Sequence, residues 1–209
     1  MQRICRIALI ASLFFGAGAA HSSPVTYTIV SKLSRVNFSI QHQGFIQLVG
    51  TLKVAPGSFI FDAQDWSKSS VSVNMPTKML DMGDALWNRQ IRGDDAWTAL
   101  FLPTNISFKS TKLERRDDTH GVLTGDLTMA GVTKPVTLQV RINKIGRNEV
   151  SEKQSIGVTA TGTVKRSEWK LDAYKDLVSD DITFQIQVEA AIGPDTDAEQ
   201  EALLNAQGN

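Results

Sequence analysis

The stretch Gly121-Val-Leu-Thr-Gly-Asp-Leu-Thr-Met-Ala-Gly-Val-Thr-Lys-Pro-Val-Thr-Leu-Gln-Val140 decides the fold class. On its first limb Leu123, Gly125, Leu127 and Met129 share one face, and Thr124, Asp126 and Thr128 share the other. On the second limb Val136, Leu138, Val140 and Ile142 alternate with Thr137, Gln139, Arg141 and Asn143. A period of two, apolar on one side and hydroxyl or amide on the other, marks a half-buried antiparallel pair. Gly131 supplies a permissive backbone and Pro135 lacks an amide donor, which places the reversal within Ala130–Pro135.

The same alternation runs through most of the chain. Tyr27 and Ile29 flank Thr28; Val36, Phe38 and Ile40 alternate with Asn37, Ser39 and Gln41. Ile46, Leu48, Leu52 and Val54 follow, with Gly50 allowing a bend, and Pro56-Gly57 is a turn signal before Ser58–Phe61. Val71, Val73 and Met75, then Ile106 and Phe108, precede the central hairpin; Ile156 to Val164 and Ile182 to Ala190 come after it. About ten candidate strands result. Their apolar faces must be buried together, so the chain reads as all-β, a sandwich or a closed barrel.

The first twenty residues stand apart. Arg3 and Arg6 form a short basic region, Ile7–Phe15 an apolar run, and Ala17-Gly18-Ala19-Ala20 a small-residue cleavage site. That is the build of a secretory signal peptide, with an apolar core too short to span a bilayer; a retained anchor is the competing reading. The only cysteine, Cys5, leaves with it, so the mature chain has no thiol chemistry even in a compartment that permits disulfides. With Arg3 and Arg6 gone, the 22 basic residues fall to 20 against 22 acidic ones, a formal charge of −2. Nothing there attracts nucleic acid. Residues 21–192 suit one domain without a linker, and the alanine-rich, acidic stretch 193–209 reads as a flexible tail.

One interval breaks the rhythm. In Asp81–Phe101, Trp87 and Ile91 are four apart, as are Trp97 and Phe101, and Asp84 and Asp94 suit helix N-caps. Pro103 then ends the stretch. One or two short helices joined at Gly93 are expected, either plugging the core or forming a lid or mouth for an apolar ligand.

Signatures of catalysis are missing. There is no Gly-x-Ser-x-Gly elbow, no His-Glu-x-x-His, no phosphate loop and no dinucleotide fingerprint. After the signal only His21, His42 and His120 remain, too few for a metal site without cysteines, and the adjacent acid pairs Asp94-Asp95, Asp117-Asp118 and Asp180-Asp181 point to opposite faces on a strand. A hydrolase or isomerase built on His42 is the enzymatic alternative, and a small outer-membrane barrel is another. No catalytic residue, metal or cofactor is assigned. Binding is the function left: a closed barrel of about eight strands is just wide enough for a small ligand. Its interior would be lined by Phe38, Ile40, Leu48, Val71, Val73, Phe108, Leu127, Leu138, Val158, Phe184 and Ile186, with Trp87, Ile91, Trp97 and Phe101 from the insert. Periodicity alone leaves open whether those side chains line a pocket or fill a core.

Several stretches in order resemble the YceI-like family. Gly125-Asp-Leu-Thr-Met-Ala-Gly-Val-Thr-Lys-Pro-Val136 is similar to its signature hairpin. Val36-Asn-Phe-Ser-Ile-Gln-His-Gln-Gly44 with Gly50-Thr-Leu52 is similar to its early strands, Asn88-Arg-Gln-Ile-Arg-Gly93 through Trp97 and Ile106-Ser-Phe-Lys-Ser110 to its insert and next strand. Arg166-Ser-Glu-Trp169 and Asp181-Ile-Thr-Phe-Gln-Ile-Gln-Val-Glu-Ala190 resemble its closing segments. The resemblance implies an elongated, lipocalin-like antiparallel barrel in the bacterial periplasm. Inside it would lie the tail of a polyisoprenoid lipid or isoprenoid quinone, in a protein compatible with a homodimer. This chain departs from the family pattern at Ser31-Lys-Leu-Ser34, at Trp87-Asn-Arg-Gln-Ile91, which lacks the family's acid and histidine, and at Lys170, where a glycine often follows the aromatic.

Overall fold

The computed structural model describes residues 23–195, so the signal-peptide reading and nearly all of the tail lie outside the described residues. Eleven strands form: β1 (Val25–Ile29), β2 (Arg35–His42), β3 (Ile46–Lys53), β4 (Ser58–Phe61), β5 (Ser70–Pro76), β6 (Leu80–Asp81), β7 (Asn105–Arg115), β8 (His120–Met129), β9 (Val132–Arg147), β10 (Gln154–Lys165) and β11 (Val178–Ala191). Between β6 and β7 lie α1 (Ala85–Gly93), a 3₁₀ turn over Asp95–Trp97 and α2 (Thr98–Phe101).

The sheet closes on itself. Pairing runs β1-β4-β5-β7-β8-β9-β10-β11, and β1 meets β11 again through Thr28–Ala191 and Ile29–Ala190, an eight-stranded antiparallel ring. Because β11 is 14 residues long it serves two partners on one edge: its C-terminal end pairs with β1, and Val178–Gln187 pairs with β2. The β2–β3 hairpin thus completes the wall at the other end of the tube, where Ala55 donates its N–H to the Asn74 carbonyl of β5 at 2.9 Å. Closure removes the sheet edges that would otherwise invite aggregation.

The central hairpin reverses more tightly than its sequence implies. β8 ends at Met129 and β9 begins at Val132, so only Ala130 (φ 50°) and Gly131 (φ 75°) make the turn, both left-handed as a two-residue hairpin requires. Pro135 is already inside β9, opposite Asp126, in a stretch where β9 has β8 on one side and its pairing with β10 starts only at Gln139. A missing donor is tolerated on such a half-edge.

The alternation sets the two faces. Leu123, Leu127, Met129, Val136, Leu138, Val140 and Ile142 point inward, while Thr128 and Thr133 share a 2.8 Å hydroxyl bond outside. On the outward side of β10, Thr159 is buried between Asn143 and Gln187, with which it shares hydrogen bonds. An apolar inside and polar outside is the reverse of an outer-membrane barrel. Among the described residues no helix is long and apolar enough to cross a membrane.

Two glycines keep the aromatic rings flat against the wall. Gly50 lies directly opposite Phe38, and Gly162 opposite Phe184. A Cβ on Gly50 would sit 2.4 Å from the Phe38 ring, and one on Gly162 2.8 Å from the Phe184 ring. Each ring lies where a side chain is absent, instead of standing up into the lumen.

The two ends of the tube differ. At the end holding the β7–β8 and β9–β10 turns, Trp66 is 4 % exposed, packed edge-on to Phe61 at 5.5 Å under the Arg115 guanidinium. The other end carries the helical insert, the β2–β3 turn and the β10–β11 connection.

Candidate functional site: an apolar lumen with a polar mouth

The barrel is hollow: a cavity of about 610 Å³ runs along it, within the range of small-molecule sites. Phe38, Ile40, Leu48, Val71, Val73, Phe108, Leu127, Leu138, Val158, Phe184 and Ile186 all line it, one or two from each of eight strands. From the insert Trp87, Ile91 and Trp97 join them. Phe101 does not: it is half-buried and packs against the core instead. The reason is a change of helix type. Trp97 closes the 3₁₀ turn and α2 starts at Thr98, so the four-residue spacing does not span one regular helix, and Leu100 faces the lumen in its place.

The insert is a lid. Asp84 caps α1 by accepting the Trp87 N–H at 2.8 Å, and Asp94 caps the 3₁₀ turn through the Ala96 N–H at 2.9 Å. Trp87, Gln90, Ile91 and Asp94 then fall at one-face spacing on α1 and its end, and that face looks down the tube.

Apart from Ser69 and Ser70 near the closed end, the polar groups of the lining gather at the mouth: His42, Gln90, Asp94, Arg166 and Tyr174. Sequence periodicity missed Arg166 and Tyr174 because they sit on a connection. Between β10 and β11 the chain makes a 3₁₀ turn over Arg166–Trp169, then an irregular loop to Val178. Trp169 is fully buried, its indole N–H donating to the Leu127 carbonyl at 3.2 Å. Lys170, where a glycine is usual, adopts φ 60°.

Arg166 organises that loop. It is 2 % exposed, and its guanidinium donates to four backbone carbonyls: Leu171 (2.5 Å), Ala173 (2.6 Å), Val178 (2.9 Å) and Ser179 (2.9 Å). Its Cζ lies over the Trp97 ring of the lid, 5.9 Å from the ring centroid. A planar fork of five donors fits such a set of carbonyls; the signal in sequence was an arginine directly after an alternating strand.

Tyr174 ties the loop to the lid. Its hydroxyl donates to the Asp94 carboxylate at 2.6 Å, and its ring lies 6.3 Å from that of Trp97. The Asp94 carboxyl is held below its usual range, first by the Tyr174 hydroxyl and then by the Ala96 N–H. The Tyr174 phenol is correspondingly pushed up by Asp94. His42 sits at the rim, opposite Ile46 on β3 and Val178 on β11. Among the described residues no group of three His, Cys, Asp or Glu side chains is placed to hold a metal.

A closed antiparallel barrel with an apolar lumen and a lidded mouth defines the class: a barrel of lipocalin-like build with room inside. The YceI-like domain model matches residues 27–190, and the chain belongs to that family. It is 32% identical over 179 residues to the protein YceI of Escherichia coli O157:H7, covering 86% of this chain and 92% of that one. Among solved structures, Burkholderia cenocepacia BcnA superposes with a TM-score of 0.65 at 20% identity, over 78% of this chain and 98% of that one. A Saccharophagus degradans domain described as polyisoprenoid-binding and implicated in plant cell wall breakdown superposes at 0.58 with 12% identity, over 80% and 98% of the two chains. Both likenesses are likenesses of fold.

Proposed function

We propose that this protein is an exported periplasmic carrier that holds the tail of a long isoprenoid-type lipid, a polyprenyl chain or isoprenoid quinone, in its lumen. The observation that carries this reading is the 610 Å³ cavity, apolar along its length and polar at one end. Each methylene moved there from water contributes about 0.8 kcal/mol, so a long tail binds without any charged partner. Arg166, Gln90, Tyr174 and His42 would meet the head group. Phe38, Phe184 and their neighbours would meet the tail, and the description of the Saccharophagus domain as polyisoprenoid-binding supports the ligand class.

Native mass spectrometry of the protein purified from its own periplasm, with organic extraction, tests the reading. A co-purifying isoprenoid is expected. A protein of bare mass that also takes up no added prenyl lipid would overturn it.

The tie between Tyr174 and Asp94 then controls exit. Tyr174→Phe should release a fluorescent prenyl probe severalfold faster with the barrel intact, since one charge-assisted hydrogen bond is roughly twice as strong as a neutral one. The pH dependence follows from the depressed Asp94 pKa, whose ordinary value is 3.8. A group lowered in the folded state contributes above its unfolded pKa and is lost as pH falls through the folded one. Release should therefore be flat from neutrality to about pH 4 and accelerate below it, and Tyr174→Phe should abolish that acceleration.

A further inference from the structure

The β2–β3 hairpin differs from the rest of the outer surface. From Val36 to Leu52 the chain contains no Lys, Arg, Asp or Glu, although Arg35 and Lys53 stand at either side. Gln43 (φ 49°) and Gly44 (φ 75°) make its turn, and the Phe45 N–H closes it on the His42 carbonyl at 3.0 Å. This geometry turns Phe45 outward, leaving it 81 % exposed, with Ile46 55 % exposed beside it. The Gln43 N–H donates to the Leu177 carbonyl at 2.8 Å, which fixes the hairpin tip against the β10–β11 connection. Leu177 and Tyr174 are themselves close to half exposed, and both line the cavity. Ile46 faces His42 across the ladder, and His42 also lines it. The lining of the mouth thus reaches the outside surface through Leu177, the Tyr174 ring and His42, next to which Phe45 and Ile46 stand exposed.

We propose that this tip, Phe45 and Ile46 with Leu177 and Tyr174, docks on a lipid bilayer surface and seats the mouth there while cargo passes. The proposal rests on the carrier reading and adds where transfer occurs. Tail methylenes that cross water carry the full transfer cost, and an apolar rim pressed into the bilayer removes that gap. On the hairpin, contact strips no ion of water because none is there. Lys175 and Asp176, exposed between Tyr174 and Leu177, would stay at the level of the head groups, and the exposed Gln41, Gln43 and Gln47 with the Tyr174 ring suit that interfacial zone. Exposed apolar side chains gathered at one functional opening mark an interaction site. The shape favours a membrane over a second copy: the tip is a projecting turn, whereas a stable dimer buries about 800 Å² on each partner.

The test uses the full chain loaded with a radiolabelled polyprenol, and vesicles of phosphatidylethanolamine and phosphatidylglycerol. Wild type should float with the vesicles and hand over the polyprenol. Phe45→Ser/Ile46→Ser should hold as much polyprenol in solution but float less and transfer it about tenfold more slowly or worse, the loss expected for two apolar side chains. Val150→Ser, which removes an equally bare valine (95 % exposed) from a turn at the closed end, should change neither. Unchanged flotation and transfer in the double variant overturn the proposal. So does a shift from dimer to monomer by light scattering with vesicle binding intact, which would assign the tip to a second copy. If no variant or wild type retains polyprenol, the carrier reading fails, and flotation of the empty proteins still decides docking.

Discussion

Ala160→Trp should empty the barrel. Ala160 is 7 % exposed on β10, opposite Val140 of β9 and Ile186 of β11, and its Cβ points into the lumen. An indole built there has nowhere to go but along the cavity. Extra atoms in a filled core cost about 1–3 kcal/mol through strain, but here the void receives them. Each Å² of ring surface taken from water returns roughly 25 cal/mol, so stability should change little and can rise. The native mass should fall from the lipid-bound to the bare value while the melting temperature stays within a few degrees of wild type. Thr163→Trp, on the exposed outer face of the same strand, is the matched control and should keep its lipid. Undiminished lipid in Ala160→Trp would place the ligand elsewhere.

The inward wall was legible because a single-layer barrel obeys the simplest rule in protein sequence. Every strand has one face in and one face out, so a residue such as Leu138 or Phe184 declares its side by parity alone. Closure was not legible in the same way. It depends on β11 being long enough to pair with β2 along Val178–Gln187 and with β1 at Ala190 and Ala191, a two-partner arrangement that no local pattern encodes. Emptiness was not legible either. Leu48 or Val73 alternates identically whether it touches a facing side chain or a void, and the difference lies in the summed volumes across the tube.

The mouth escaped for a different reason. Arg166 and Tyr174 come from the aperiodic β10–β11 connection, where a side chain's direction is set by tertiary hydrogen bonds and not by a repeat. Tyr174 meets Asp94 across 80 residues. Phe101 shows the converse: a helical spacing that was present in the sequence but straddled a 3₁₀ turn and the start of α2. Where the caps were read directly, at Asp84 and Asp94, the local chemistry sufficed, since a carboxylate next to free N–H groups needs no tertiary context.

Arg166→Met should cost the protein about 3 kcal/mol or more, as a fall in the urea midpoint at constant m-value. The guanidinium is buried without a carboxylate in its hydrogen-bond set, so two opposed effects must be weighed. Removing it relieves the desolvation of a buried charge, which favours methionine. It also strands the carbonyls of Leu171, Ala173, Val178 and Ser179, each of which costs about 1–3 kcal/mol if left buried and unpaired. Four acceptors outweigh one desolvated ion here because their dipoles converge on it and already do what a counter-ion would. Part of the penalty escapes: the loop around Asp172 and Lys175 is exposed, and some carbonyls can turn to water. Arg166→Lys should recover less than half, because a point charge with three donors cannot reach four carbonyls that a planar fork spans. Amide exchange should quicken over residues 170–178, and the Trp97 environment should change, because the ring loses the guanidinium lying 5.9 Å away. A loss below 1 kcal/mol with unchanged exchange would mean that the connection is held by Trp169 and the Tyr174 turn, and that Arg166 serves the ligand alone.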